Sequence, residues 1–388
     1  MPHDPKRLYA ALLENGFKEF SGVPCSILDP LIIDAEASPE VHYLPASVEG
    51  EAVSVAAGAW LAGSPSVVLM QNSGLGNAIN PIASLAVPYR IPMLLISSWR
   101  GEPGTQDAVH HAPMGRATQA LFELFDVPVT VLDEDADLGR AVADASKHLD
   151  ETLTPAALLV PRGVFEKGGR PEDAAPPMAS AQRPVAAPSV ATFGGGPLPN
   201  RTELLESFLP RAMDGATVST TGYMSRELSA HLCGRFFPMQ GSMGFAAAIA
   251  LGITRVKTEL PVFVLDGDGA LIMRMGSLAT VGAAQPTRLV HIVADNGTYA
   301  STGGQKTVSP GVDFARVAAH CGYGRVGVCE GRRGLDAAID WARDGLGSGP
   351  SLLHVAIDTR EAKDLERPKI GPPQIAANFR RYLMEGAA

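Results

Sequence analysis

The apolar positions of this chain fall in short unbroken runs, spaced by helix-like stretches, and most runs end in Gly, Ser, Asn or Asp. The run that opens at Val262 (VFVLDGDG) is hydrophobic at successive residues, as expected of a strand covered on both faces of a parallel sheet. It ends in Gly267-Asp268-Gly269. A helix-like stretch follows, then a second run, Leu289 to Ala294, which ends in Asp295-Asn296-Gly297-Thr298. Comparable runs predict strands over 17–20, 42–45, 66–70, 93–97, 127–132, 156–160, 217–220, 325–329 and 352–357. Helices are predicted over 8–13, 52–62, 118–125, 138–149, 202–213, 314–320, 335–346 and 374–384, with a small-residue helix opening at GSMGF (241–245) and running to 251. Strands alternating with helices predict the α/β class, with doubly wound parallel sheets.

The pattern occurs twice. Pro65 before SVVLM matches Pro261 before VFVLD, and the strand ending in Ser98-Trp99 matches the one ending in Asp295-Asn296, both at an offset close to 196 residues. Between the halves, Gly168 to about Asn200 is rich in Pro, Ala and Gly and has no apolar period, which predicts a flexible, partly extended linker. The expected organisation is a domain over 1–167, a linker over 168–200 and a similar domain over 201–388, with a ligand between the domains.

Composition narrows the partners more than the fold. The chain has 388 residues, of which 46% are hydrophobic and 19% charged, ordinary values for a two-domain globular protein. A net charge of −9 argues against non-specific nucleic-acid binding, while leaving room for a local basic site for an anion. No run reaches membrane-spanning length, and MPHDPKRLYAALLENG reads as the start of an amphipathic helix rather than a signal peptide. The four cysteines are far apart and form no C-x-x-C pair. They suit reduced, mostly buried thiols of a cytoplasmic protein and give no zinc site.

Two neighbouring parallel strands would carry Asp268 and Asn296 to one sheet edge, where open α/β sheets bind ligands. Hard oxygen ligands beside a Gly-rich backbone and a helix N-terminus suit a magnesium ion holding a diphosphate. Gly267, Gly269, Ala270, Thr221, Gly222 and Ser242 are the candidate diphosphate contacts, through hydroxyls and backbone N–H groups. Asn72, in the polar run after the strand at 66–70, is a candidate cofactor and substrate contact. His110 and His111 lie in a Gly- and Pro-containing loop, 101–115, where they could bind an anion or relay protons. Arg100 and Lys306 are the cations nearest the expected cleft. Ser26, read from the residues alone, is equally a cap for the helix after Pro24.

Gly267-Asp268-Gly269 followed after 26 residues by Asn296 resembles the thiamine-diphosphate motif of decarboxylases and related enzymes. The resemblance implies that Asp268, Asn296 and the Thr298 carbonyl hold Mg2+. It implies that Glu49 is the acid set against the cofactor's pyrimidine, with Glu51 as the competing carboxylate in the first helical turn. Met243 would wedge the cofactor into a bent shape, beside the Gly241 carbonyl. Ser26 matches the residue that meets the substrate carboxylate. The runs GVPCSILDPLI, TTGYMSREL, GSMGFAAAIALG, STGGQKTVSP and Leu365-Glu366-Arg367-Pro368 are similar to those of phosphonopyruvate decarboxylases and their sister sulfopyruvate decarboxylases. WRGEPG leans to the first and His-Ala-Pro-Met-Gly at 111–115 to the second. The implied activity is non-oxidative decarboxylation of 3-phosphonopyruvate, a small anionic 2-oxoacid, to phosphonoacetaldehyde, in phosphonate biosynthesis. Arg100 or Lys306 would take the phosphonate, and Ser26 or a His would lie near the carboxylate. The family also implies a homo-oligomer, at least a dimer, with sites between the pyrimidine-binding and diphosphate-binding domains. Other readings are sulfopyruvate decarboxylation, an acetolactate-synthase-like carboligase, and a catalytically silent thiamine-fold module.

Overall fold

The computed structural model describes residues 1–166, 187–231, 233–360 and 365–386. The chain divides into two compact units. The first contains β1 (Glu19–Gly22), β2 (His42–Pro45), β3 (Ser66–Gln71), β4 (Leu94–Trp99), β5 (Val129–Val131) and β6 (Ala156–Pro161). They form one sheet in the order β2-β1-β3-β4-β6-β5, with every pair parallel. The middle strands explain the unbroken apolar runs. Val67 to Met70 and Leu94 to Ile96 are fully buried because helices cover both faces of the sheet.

The second unit contains β7 (Val190–Gly194), β8 (Ala216–Ser219), β9 (Phe236–Pro238), β10 (Val262–Gly267), β11 (Leu289–Asp295), a short antiparallel ribbon of β12 (Thr298–Tyr299) and β13 (Gln305–Lys306), then β14 (Arg325–Glu330) and β15 (Ser351–Ala356). Its main sheet runs β7-β14-β15-β11-β10-β8-β9, again all parallel. With β7 set aside, the strands stand in the same sequence-to-space order as in the first unit: second, first, third, fourth, sixth, fifth. The internal repeat is therefore a repeat of topology. In each copy the winding reverses between the first and third strands, the place where such sheets leave a crevice at their carboxyl ends. Each unit also has a core cluster of its own, one around Phe17, Phe20 and Leu31, the other around Phe208, Phe263 and Leu335.

The structure departs from the sequence reading in several places. Part of the stretch read as linker is β7, which pairs with β14 from Val190↔Val326 to Gly194↔Glu330 and sets Phe193 against Trp341 at 5.5 Å between ring centroids. Its half-exposed residues carry no alternation that would have flagged a strand. The expected linker residues 168–186 lie outside the described residues. The helix expected after Pro24 is Asp29–Ala37, with Leu28 rather than Ser26 at its N-cap, while helix Tyr223–Ala230 and the helical run from Leu75 to Tyr89, which includes a π-turn at Ile82–Ala86, are absent from the sequence reading. Of the four free cysteines, Cys25 and Cys329 are buried, Cys321 is partly so and Cys233 is exposed.

Candidate cofactor and substrate site

In the second unit, the crevice at the β8/β10 reversal is a pocket lined by Thr220, Thr221 and Gly222 after β8, Gly267 to Ala270 after β10, and Asn296 and Thr298 after β11. Register Gly267↔Ala294 places the two strand ends side by side. Nearly all the residues expected to hold a diphosphate and a metal are thus gathered in one place. Met243 lines the same pocket. It projects from a turn in which Ser242 (φ 56°) and Gly244 (φ 92°) both adopt left-handed backbone, ahead of the small-residue helix Ala246–Val256, which is buried from Ala246 to Thr254. Gly241 and Ser242, expected as cofactor contacts, do not line it. Ser242 is 2% exposed, because the turn that presents Met243 points its neighbour inward.

Several features suit the pocket to a diphosphate and a cation. The Thr220 hydroxyl is buried without a hydrogen-bond partner among the described residues, a donor left for an anion. Gly222, at φ 80°, heads the helix Tyr223–Ala230, whose first N–H groups have no intrahelical acceptor. A Cβ on Gly269 would come within 2.4 Å of the Tyr299 ring, so the ring can lie this close only because residue 269 has no side chain. Asp268, Asn296 and the Thr298 carbonyl form a hard oxygen set. No group of three or more His, Cys, Asp or Glu that could hold a metal occurs among the described residues, so a cation here would rest on a single carboxylate.

That carboxylate is held from behind. The Thr307 hydroxyl donates to Asp268 Oδ2 and touches Ser309 Oγ at 3.0 Å, and Ser309 donates to Asp295 Oδ1 at 2.8 Å. Asp295 also accepts from His354 Nε2 at 3.0 Å and from the Gly297 N–H at 2.9 Å. Burial raises the Asp268 carboxyl above its ordinary range, the Thr307 hydrogen bond works against this, and Asp295 adds to it. Asp295 is also raised by burial, but its hydrogen bonds from His354, Ser309 and Gly297 outweigh that and hold it below. Thr307 and Ser309 went unnoticed as individual residues, although both lie in the polar run STGGQKTVSP. Lys306 is exposed on the ribbon opposite Thr298 and is not part of the pocket lining.

In the first unit, Glu49 opens the helix Glu49–Leu61 and is 8% exposed. Its Oε2 accepts from Asn77 Nδ2 at 2.9 Å, and a Cβ on Gly74 would collide with Oε1 at 1.9 Å. Gly74 thus makes room for the acid and Asn77 orients it. Glu51 turns to the backbone instead. Its Oε2 accepts from the Ser47 N–H at 2.6 Å, closing the start of the helix. Glu51 therefore has a capping contact at the helix start, while Glu49 has a side-chain partner in Asn77.

Asn72 is a correction. It is fully buried, and its amide is spent within the unit, donating to the Arg100 carbonyl and Thr118 Oγ1 and accepting from the Arg100 N–H. It fixes the backbone after β4 and is not presented to a ligand. Gly101, at φ 67°, meets the start of the helix Ala112–Glu123, and Gly115 meets Gly101 in turn, contacts that no Cβ would permit. This closure sets His110 and His111 against the strand end. The two rings lie 4.1 Å apart, and His111, largely buried, has Nδ1 3.4 Å from Ser73 Oγ. Burial, then the charges of Arg100 and His110, lower its pKa, which favours the neutral imidazole.

Arg100 and Ser26 line a second cavity, together with Asp29, Arg162 and Glu166 around Ile27, Pro30 and Phe165. Arg100 Nε and Nη2 donate to the two oxygens of Asp107, each at 2.7 Å, and this fork holds the Asp107 carboxyl far below its usual range. Arg162 was not singled out in the sequence. The only sign of it is its position directly after a buried strand.

Residues 6–121 match the family described as thiamine pyrophosphate enzyme, N-terminal TPP binding domain, and residues 217–355 match the C-terminal TPP binding domain of the same enzymes. A phosphonopyruvate decarboxylase of Streptomyces viridochromogenes is 42% identical over 97% of this chain and 94% of its own. A sulfopyruvate decarboxylase of Methanosarcina acetivorans is 28% identical over 86% of each. Among solved structures, the benzoylformate decarboxylase of Polynucleobacter necessarius superposes with a TM-score of 0.63 at 13% identity, over 93% of this chain and all of that one, a likeness of fold. A likeness that runs from end to end of both proteins, on top of matches in both halves, places the chain in the thiamine pyrophosphate enzyme family, among the phosphonopyruvate decarboxylases.

Proposed function

We propose that the chain decarboxylates 3-phosphonopyruvate to phosphonoacetaldehyde and CO2, using thiamine diphosphate and Mg2+. The end-to-end similarity to a curated phosphonopyruvate decarboxylase carries this reading. The pocket at the β8/β10 reversal supports it with a donor set suited to the cofactor's charged end. Bound thiamine diphosphate supplies the electron sink into which the electrons flow as CO2 leaves. In this reading Asp268, Asn296 and the Thr298 carbonyl hold the cation, while Thr220 and the N–H groups after Gly222 hold the diphosphate. Met243 braces the cofactor from the side. Glu49, oriented by Asn77, hydrogen-bonds a pyrimidine nitrogen. His111, whose neutral form its surroundings favour, and the Ser26 hydroxyl are available to hold the substrate or pass a proton. The working form is proposed to be a cytoplasmic homo-oligomer, at least a dimer; no helix among the described residues is long and apolar enough to cross a membrane.

The test is CO2 release by the purified protein with Mg2+ and thiamine diphosphate on phosphonopyruvate, sulfopyruvate and pyruvate in parallel. The expected result is a clear preference for phosphonopyruvate. Preference for sulfopyruvate would move the substrate and keep the cofactor residues. Acyloin in place of free aldehyde would point to a carboligase, and cofactor binding without turnover to a silent module.

A further inference from the structure

We propose that Arg162 is the residue that receives the phosphonate group, in the cavity it lines with Ser26 and Arg100. The inference rests on the phosphonopyruvate reading above and deepens it. The sheet register makes the cavity. Trp99 and Pro161 are paired across β4 and β6, so the residues that follow them, Arg100 and Arg162, leave adjacent strand ends side by side. Ser26 comes from the loop after β1, at the same carboxyl edge.

The two arginines are not equivalent. Arg100 is held in a two-pronged contact by Asp107, and its charge is matched at 2.7 Å on both sides. Its backbone is fixed as well, by Asn72. Arg162 only approaches Asp107, at 3.9 Å, and its side chain is 65% exposed to the cavity and solvent. Among the described residues it is thus the one cation of this lining that no carboxylate holds through a fork. The remaining charged groups of the lining, Asp29 and Glu166, are acidic. Without Arg162 the cavity would repel a dianion.

A guanidinium offers paired N–H donors that fit two phosphonate oxygens, and it stays charged at any working pH. Placing the clamp there also suits the reaction. The phosphonate is kept throughout, so holding it tightly does not stabilise the group that must leave. In this assignment Arg100 is a positioning residue: by occupying Asp107 it prevents that carboxylate from closing on Arg162.

The experiment uses the full chain loaded with Mg2+ and thiamine diphosphate, comparing wild type, Arg162→Ala and Arg162→Lys. Steady-state decarboxylation of phosphonopyruvate is measured, together with inhibition by 3-phosphonopropionate, an unreactive analogue. Arg162→Ala is expected to raise KM and the inhibition constant together, by about 10- to 100-fold, with a smaller change in kcat. Arg162→Lys, which keeps the charge and loses the fork, should fall between. Thermal stability and thiamine diphosphate affinity should stay at the wild-type level, since the side chain is exposed. Unchanged KM and inhibition constant in Arg162→Ala, with wild-type turnover normal, would overturn this inference alone. A wild-type protein that does not act on phosphonopyruvate would overturn the functional reading and the inference with it.

Discussion

Two glutamates two positions apart show how little residue type decides by itself. Glu49 and Glu51 share a helix start and are both buried, yet one carboxylate lies against Gly74 and Asn77 while the other closes the helix on Ser47. Their substitutions should therefore fail in different ways. Glu49→Gln is expected to lower kcat by at least about 100-fold with thiamine diphosphate affinity nearly intact. Glu51→Ala should cost about 1–2 kcal/mol of stability, with turnover per folded molecule largely kept. Denaturant unfolding and kcat measured on both variants check the pair, and equal losses of activity would contradict the assignment. Thr307 is the second case. Its hydroxyl donates to Oδ2 of Asp268. Thr307→Val is expected to weaken Mg2+-dependent cofactor binding about 10- to 100-fold, and Thr307→Ser to restore most of it. Calorimetric titration with thiamine diphosphate decides this, and an unchanged affinity in the Val variant would remove Thr307 from the site.

At the scale of elements, the sequence is most readable where burial is complete. β3, β4, β10 and β11 are buried along nearly their whole length and mostly apolar, and the polar residues at their ends mark the carboxyl edge of each sheet. The placement of Asp268 and Asn296 at that edge was legible for that reason, whereas Glu49, which follows the largely exposed β2, is named only through the family resemblance. What escaped was set by partners distant in sequence. β7 is an edge strand of five half-exposed residues in a Pro- and Gly-rich stretch, recognisable only through its pairing with β14. Asn72 looked like a ligand because polar residues after strands often are, and nothing in the sequence says that its amide turns inward to Arg100 and Thr118. Arg162 became visible only when the register set it beside Arg100. The edge strand offers its own test. Phe193→Ala removes the ring that lies on Trp341 and is expected to cost the second unit about 1–3 kcal/mol, at the low end because Phe193 is half-buried. Chemical denaturation followed with probes in each unit should show the shift in the second unit alone.

For the whole molecule, the two units each close a core of their own. Residues 1–166 and 187–388, produced as separate polypeptides, are each expected to unfold cooperatively, as read by circular dichroism and denaturant titration. A half that remains unstructured alone would show that its core depends on the other. The shared strand order has a further consequence. Equivalent places in the two copies have taken on different chemistry: Arg100 follows the fourth strand of one, and Asn296 follows the fourth strand of the other. In the proposed reading the second copy holds the diphosphate and the cation, while the first supplies Glu49 and the residues that meet the substrate. On that reading, new substrates can be sought by diversifying the loops after β1, β4 and β6, none of which carries a residue of the pocket at the β8/β10 reversal. An enzyme built this way can explore without forgetting.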